Sequence, residues 1–210
     1  MMSTTDASKA YTLIKERVIK IKMPPGSVIR ETELMNELDL GRTPIREALK
    51  RLESENLVIV KPRQGMFVAD IPITDLIQIF EVRVELEALC AHLASKRMTP
   101  EILSSMKNLA ETYSQSEKQD LNCLFDQDRQ FHALLAAAAH NRFLVDEIEH
   151  YYNLSLRIWY LVLHNVKPAD VDVDAHLKIL QAIEVRDHEA ARTHMRKHIE
   201  QFHRTVKSYV

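Results

Sequence analysis

An aspartate and three histidines occupy positions where apolar side chains would continue the inward face of a helix. Asp128 and His132 are four residues apart on a stripe of leucine and phenylalanine, and His176 and His198 lie on the apolar stripes of two later segments. Burying an unpaired carboxylate costs several kcal/mol, so Asp128 requires a partner. Because imidazole and carboxylate groups bind Zn, Ni, Mn and Fe, these four residues are a candidate site for a divalent metal ion.

The spacing of these residues also allows a second interpretation. Histidines on a core-facing stripe are more often paired with neighbouring polar groups than bound to a metal. His194 lies one turn before His198 and is a rival for the same ligand position. From the residues alone, a metal site and a satisfied polar core are both open.

A second segment whose residue types could bind a ligand runs from Gly41 to Leu52. A helix that enters the major groove of DNA must present short and basic side chains on its first two turns and pack its other face on the domain. An arginine there can bond bidentately to a guanine edge, which is worth about 1–3 kcal/mol of discrimination. An amphipathic helix with a solvated basic face is the alternative. The predicted DNA-binding residues, two of them in the following hairpin, are Arg42, Thr43, Arg46, Lys50, Arg51, Arg63 and Gly65.

Hydrophobic periodicity predicts the helices and strands that position this segment. Three helices and a β-hairpin in this order are typical of a winged helix-turn-helix. Pro24-Pro25-Gly26 is expected to end the first helix. The predicted helices are Ala10–Lys22, Glu31–Leu38 and Arg42–Glu55, and the predicted strands are Leu57–Val60 and Met66–Val68.

The rest of the chain has a different composition. All three glycines lie in the first 65 residues, and the following 145 residues contain none. A glycine-free stretch with helical periodicity predicts an all-α domain with short connections. We therefore predict a mainly α protein with a winged helix-turn-helix over residues 1–70 and a six-helix bundle over residues 71–210. The predicted helices of the bundle are 74–96, 100–117, 119–139, 142–164, 173–186 and 187–208.

Charge and composition limit the possible partners. Residues 1–70 carry a net charge of +2 and the remainder −4, and residues 41–63 hold six basic and three acidic side chains. This places the positive charge where a phosphate backbone would need it. No apolar run approaches the roughly 18 residues of a membrane span, and the polar start is not typical of a signal peptide. Two cysteines without CxxC spacing suggest reduced core residues, so we expect a cytoplasmic protein.

The DNA-reading segment closely resembles the GntR family of bacterial regulators. The matching runs, in the family's order and spacing, are RTPIREAL at Arg42–Leu49, RLE at Arg51–Glu53, ENLV at Glu55–Val58 and the wing PRQGMFV at Pro62–Val68. One departure precedes them: the family usually has Leu-Gly-Val-Ser, whereas this chain has Leu38-Asp39-Leu40-Gly41. Asp tolerates a left-handed turn, and Gly is an acceptable but weaker N-cap than Ser.

The helical part resembles the ligand-binding domain of the FadR subfamily, called the FCD domain. The similar runs are Asp128–His132, Asn141–Leu144, His176 with Ile179-Leu180, and Met195–Ile199. The resemblance implies a bundle of six or seven helices that holds a divalent metal through Asp128, His132, His176 and His198. Six helices are similar to the shorter, VanR-type branch.

The resemblance implies a homodimeric transcriptional regulator, expected to be a repressor, that binds a palindromic operator in double-stranded DNA under control of a small carboxylate effector. Arg83 and Arg157 lie on apolar stripes and are the predicted effector-binding residues. An internal ion pair of these arginines with Glu85, Glu87 or Glu147 is equally open.

A metal-dependent enzyme acting on a small acid is the alternative function, because a metal-bound water can act as a nucleophile. Against it, the chain has neither an HExxH motif nor a His-Asp dipeptide. Asp128 is also expected to be a metal ligand rather than a free base. We therefore expect no catalytic residues.

Overall fold

A computed structural model describes residues 5–115, 121–162 and 173–209 of the chain. The chain forms two compact units. The first comprises Met1–Pro72 together with Leu156–Leu161, and the second comprises Ile73–Ser155 with Val162–Val210. No helix among the described residues is both long and apolar enough to cross a membrane.

Besides Leu156–Leu161, which belong to a later helix, the first unit contains three helices and three short strands. The predicted helix-turn-helix and hairpin are both present, so the fold prediction is confirmed for this part. The elements are α1 (Asp6–Ile19), β1 (Val28–Ile29), α2 (Glu31–Leu38), α3 (Arg42–Ser54), β2 (Val58–Lys61) and β3 (Gly65–Val68).

Helix α1 begins and ends earlier than predicted. It begins at Asp6 because the side chain of Thr5 accepts a hydrogen bond from the backbone N–H of Ser8 (3.2 Å), which is an N-cap that the apolar pattern does not reveal. It ends at Ile19, and Ile21 adopts a left-handed backbone with φ 55°. The prediction that the Pro24-Pro25-Gly26 run ends the helix was therefore wrong, because the chain has already left the helix before it.

The sheet has one strand more than the predicted hairpin. Its order is β1-β3-β2, and all pairs are antiparallel. Val28 and Ile29 of β1 pair with Phe67 and Met66 of β3. A strand of two residues is too short to show alternation in the sequence, so only the pairing partner reveals it.

The turn between α2 and α3 is built by the residues that depart from the family pattern. Asp39 has φ 52° and ψ 49°, which is the left-handed conformation that Asp tolerates better than most residues. Gly41 is the N-cap of α3 and offers no side-chain hydrogen bond. The turn is closed by the Leu40 N–H, which donates to the Met35 carbonyl (3.2 Å).

The second unit is entirely helical in its described residues, as predicted. Helix α4 packs against α9, α6 and α8, so the long first helix lies at the centre of the bundle. The observed bounds agree with the predicted ones to within three residues where both are described; the predicted ends at residues 117, 119 and 164 lie outside the described residues. The helices are α4 (Ile73–Arg97), α5 (Pro100–Gln115), α6 (Leu121–Ala138), α7 (Arg142–Val162), α8 (Val173–Glu184) and α9 (His188–Lys207).

The core of the first unit depends on the inner face of α3. Leu49 is fully buried there, whereas its neighbour Lys50 is exposed. We expect Leu49→Ala to lower the free energy of unfolding of this unit by about 2–5 kcal/mol, because it removes packing and leaves a cavity. Lys50→Ala should change it by less than about 0.5 kcal/mol. Urea unfolding of both variants measures the difference, and equal effects would contradict the packing described here.

Candidate metal centre and nucleic-acid interface

Helix α3 separates a buried face from an exposed basic face. Four apolar side chains, Ile45, Ala48, Leu49 and Leu52, are buried in the first unit. The side chains predicted to contact DNA from this helix are all exposed: Arg42, Thr43, Arg46, Lys50 and Arg51. The sequence therefore placed these residues on the solvent face correctly.

Two of these arginines have partners inside the protein. Arg46 Nε lies 3.5 Å from Glu31 Oε1 of α2. The guanidinium of Arg51 lies 3.6 Å from the centre of the Tyr11 ring, and its Nε is 3.5 Å from Glu55 Oε1. Arg51 thus packs its flat face on α1, which leaves it less available to reach a base than a free arginine.

The wing is the exposed turn between β2 and β3. Arg63 and Gly65 both have positive φ, at 64° and 108°. A Cβ at Gly65 would meet no atom within 4 Å, so the backbone conformation, and not lack of space, favours glycine there. Both residues are exposed, and Lys61 Nζ lies 4.5 Å from the centre of the Phe67 ring at the base of the wing.

The four predicted metal ligands converge in the core of the second unit. Asp128 and His132 come from adjacent turns of α6, His176 from α8 and His198 from α9. One ligand atom from each residue lies within 4.8 Å of the other three. His176 Nε2 is 3.1 Å from Asp128 Oδ1 and 3.2 Å from His198 Nε2, and His198 Nε2 is 3.4 Å from His132 Nε2.

These separations fit a metal ion. Neighbouring ligand atoms at about 2.0–2.2 Å from an ion lie roughly 3.3–3.6 Å apart in tetrahedral geometry and roughly 2.8–3.1 Å apart in octahedral geometry, which leaves two positions open beside four ligands. The measured separations between Asp128 Oδ1 and the three Nε2 atoms run from 3.1 to 4.0 Å. Three imidazoles and one carboxylate are also a donor set that Zn, Ni, Mn and Fe accept. The residues therefore fit the divalent ion that the family resemblance implies.

Neighbouring side chains fix the orientation of two ligands. The Tyr152 hydroxyl of α7 donates a hydrogen bond to Asp128 Oδ2 (2.6 Å), which leaves Oδ1 facing the histidines. His132 Nδ1 pairs with Glu87 Oε2 of α4, so its Nε2 is the atom that faces the cluster. The Phe131 ring stacks on His176, with 4.2 Å between ring centres.

The pKa shifts in the cluster keep some of its groups charged and one of them neutral. Although burial opposes it, the nearby His132 and His176 hold the pKa of Asp128 well below its usual value. Burial would lower the pKa of His132, but Glu87 and Asp128 outweigh it and raise that pKa to about 9. Burial, followed by the charges of His176 and His132, lowers the pKa of His198 well below its usual value. The imidazole of His198 is therefore neutral, so its nitrogen can bind a metal ion without first losing a proton.

Three further residues named in the sequence predictions, His194, Arg83 and Arg157, have surroundings that differ from those predicted for them. His194, the rival ligand, is half-buried on α9 and is not part of the cluster. Arg83 is buried and pairs through Nε with Glu87 Oε1, while Nη1 donates to Ser155 Oγ (2.9 Å). Arg157 is buried in the first unit, where Nη2 donates to the Ala69 carbonyl (2.6 Å). The Arg83–Glu87 pair agrees with the ion-pair alternative that the sequence left open, whereas Arg157 bonds a backbone carbonyl that this alternative did not name.

Sequence reasoning did not assign Glu87 or Tyr152 to the metal centre. Glu87 had a signal, because it lies one helical turn after Arg83 and was a candidate for its ion pair. Tyr152 had none, because an aromatic residue on a helix is ordinarily part of the apolar core. Only the positions of α4 and α7 relative to α6 bring these side chains to the ligands.

Both parts of the chain match known families. Residues 6–68 match the bacterial regulatory proteins of the gntR family, and residues 78–201 match the FCD domain. The chain therefore belongs to the GntR family of bacterial transcriptional regulators, and its helical part is an FCD domain. Regulators of this family bind DNA through the winged helix-turn-helix.

Individual relatives cover most of the chain. The HTH-type transcriptional repressor RspR of Escherichia coli (strain K12) is 25% identical over 198 residues, which span 94% of this chain and 87% of RspR. The HTH-type transcriptional regulator YdhC of Bacillus subtilis (strain 168) is 28% identical over 193 residues, or 90% and 85% of the two chains. The structure of E. coli McbR/YncC superposes with a TM-score of 0.88 at 24% identity, covering 97% of this chain and 98% of that one. These relatives are regulators and not enzymes.

The cluster of possible ligand atoms includes His176 and does not include His194. We expect His176→Ala to weaken Ni²⁺ or Zn²⁺ binding by more than about 100-fold, because loss of a ligand exceeds the roughly 10- to 100-fold effect of losing a supporting residue. His194→Ala should bind the metal as the unchanged protein does. Competition with a chelator measures both affinities. Equal losses in the two variants would show that the cluster is not the binding site.

Proposed function

We propose that this protein is a metal-containing repressor whose affinity for its operator is controlled by a small carboxylate effector bound in the FCD domain. The observation that carries the proposal is the convergence of Asp128 with the buried His132, His176 and His198 in a chain that also presents the basic face of α3. The relative RspR is itself named a repressor, which favours repression as the direction of control.

For the DNA-binding part, we propose a homodimer on a palindromic operator. Two copies of α3 placed on half-sites about one helical turn apart would read a two-fold related sequence. The bases would be read by Arg42, Thr43, Arg46 and Lys50, and the wing residues Arg63 and Gly65 would approach the backbone or minor groove. We give Arg51 a phosphate-facing role, because Tyr11 and Glu55 already hold its guanidinium.

For the metal, Asp128, His132, His176 and His198 would supply one carboxylate and three imidazole ligands. Zn, Ni, Mn and Fe are all compatible with this set. When bound, a divalent ion supplies a fixed positive charge that can hold an anionic group. Because such ions accept five or six ligands, four from the protein leave positions for water or for an effector.

The charge balance of the core explains why the effector should be an anion. Metal-bound histidines are neutral, so the charges to balance are those of the ion, Asp128, Glu87 and Arg83. With a divalent ion these leave one net positive charge in a buried site, where an uncompensated charge is costly. A carboxylate removes that cost. We place it on the ion, because both Arg83 and Arg157 already have internal acceptors.

We propose a cytoplasmic location, since DNA is the target. The cysteines fit this compartment: neither Cys90 nor Cys123 forms a disulfide, and burial raises the pKa of Cys90, which makes it an unreactive core residue. We propose no catalytic role, because Asp128 accepts from Tyr152 and pairs with His176 and so is not a free base.

The DNA-binding proposal is tested on the promoter of the protein's own gene. The unchanged protein should prefer this fragment to a random duplex in a gel shift, with an affinity that falls steeply with salt. Arg46→Ala should weaken binding by roughly 5- to 150-fold, the equivalent of about 1–3 kcal/mol. Arg142→Ala, which removes an exposed arginine of the FCD domain, is the control. No preference for the promoter, or equal losses in both variants, would contradict the proposal.

The effector proposal is tested with malate and citrate as carboxylate probes. At least one should change the operator affinity of the metal-loaded protein, and Asp128→Ala should abolish that change because the ion that holds the carboxylate is lost. Asp126→Ala, an exposed aspartate of the same helix, should respond normally. If Asp128→Ala responds as the unchanged protein does, the metal has a structural role only.

A further inference from the structure

Glu87 is the most deeply buried carboxylate near the metal centre. Its side chain is 1% exposed, and each of its oxygens has a different partner. Oε1 pairs with Arg83 Nε, one turn earlier on α4, and Oε2 pairs with His132 Nδ1 on α6. Burying a charged carboxylate is costly unless both oxygens have partners. Glu87 therefore needs both Arg83 and His132 to remain buried and ionised.

The contact with His132 has a consequence for metal binding. An imidazole can carry its proton on either nitrogen and can also turn about χ2, so nothing in the side chain alone presents Nε2 to the cluster. A carboxylate on Nδ1 keeps a proton there, so Nε2, which faces Asp128 and His198, is the nitrogen that gives up its proton to bind an ion. Tyr152 does the same for Asp128, because its hydroxyl occupies Oδ2 and leaves Oδ1 inward.

Arg83 completes this arrangement from the other side. It is 2% exposed, and its guanidinium lies 4.8 Å from the centre of the Tyr152 ring and 5.1 Å from that of Phe202. Its Nη1 donates to Ser155 Oγ, one turn after Tyr152 on α7. The helix that orients Asp128 therefore also anchors the arginine that holds Glu87.

We infer that Glu87 is a positioning residue of the metal centre, which fixes the tautomer and orientation of His132, and that Arg83 serves to hold Glu87 rather than to bind the effector. This inference rests on the metal proposed above. It accounts for the contacts of Arg83 with Glu87 and Ser155. It also gives a reason for an arginine and a glutamate to lie one turn apart inside the bundle.

The test compares Glu87→Gln and Glu87→Ala with Glu85→Gln. Glu85 lies two residues earlier on α4, is largely exposed and pairs with Arg196 away from the cluster, so it is a matched control. We expect Ni²⁺ or Zn²⁺ affinity, measured by chelator competition, to fall by about 10- to 100-fold in both Glu87 variants. Glu85→Gln should bind as the unchanged protein does. Long-range ¹H–¹⁵N NMR of the zinc-loaded proteins should show zinc on Nε2 of His132 where Glu87 is intact, and a mixture of Nε2-bound, Nδ1-bound or unbound rings in Glu87→Ala.

A second variant separates positioning from stability, because Glu87→Ala leaves Arg83 buried without its partner. In Arg83→Met combined with Glu87→Gln both charges are removed at similar volume, and replacing a buried ion pair in this way is often neutral or stabilising. We expect this protein to fold, as judged by circular dichroism and thermal unfolding, and still to bind metal about 10- to 100-fold more weakly. A role in stability alone would restore the affinity.

The outcomes separate this inference from the proposed function. If the unchanged protein binds neither Ni²⁺ nor Zn²⁺, the metal proposal fails and the inference fails with it. If it binds metal and the Glu87 variants bind equally tightly with the same tautomer of His132, only the role of Glu87 is overturned. If Glu87→Ala does not fold, Glu87→Gln and the double variant decide the question by the same measurements.

Discussion

Two carboxylates lie in the interior of the FCD domain, Glu87 fully buried and Asp128 largely so, where water stabilises their charge poorly. Glu87 depends on Arg83 and His132, and Asp128 depends on Tyr152 and His176. These partners come from four different helices, α4, α6, α7 and α8. The bundle can satisfy both carboxylates only when all four helices are in register, so the polar core specifies their arrangement more narrowly than apolar packing would.

The same constraint prepares the centre for its ligand. Three imidazole nitrogens lie close together, with 3.2 and 3.4 Å between His198 Nε2 and those of His176 and His132. They cannot all be charged at this distance, and the lowered pKa of His198 shows that burial and its neighbours keep it neutral. A neutral nitrogen beside an ionised carboxylate is the state in which both bind a cation, so His198 and Asp128 are already in the ligand form, whereas His132, with its pKa raised to about 9, must release a proton to an incoming ion.

In the DNA-binding unit, unlike the metal centre, the functional side chains must remain exposed to solvent. Helix α3 is held by its apolar face and, at its end, by a polar contact with α1: Lys15 and Tyr11 both bind Glu55, which directly follows the helix. This contact fixes the axis of α3 without occupying Arg42 or Lys50. Burial raises the pKa of Tyr11, so its hydroxyl remains a donor to Glu55.

The sequence by itself determined the elements and the faces of this protein. Periodicity gave α2 its exact bounds, and it made Asp128 and His132 conspicuous because polar residues interrupt an apolar stripe. It could not find β1, whose pairing partner is remote in the chain, or the end of α1, where Ile21 adopts a left-handed backbone. A helical pattern tells which way a side chain faces but not what it meets there. The pairing of Glu87 with His132 and of Tyr152 with Asp128 was decided only when the helices packed.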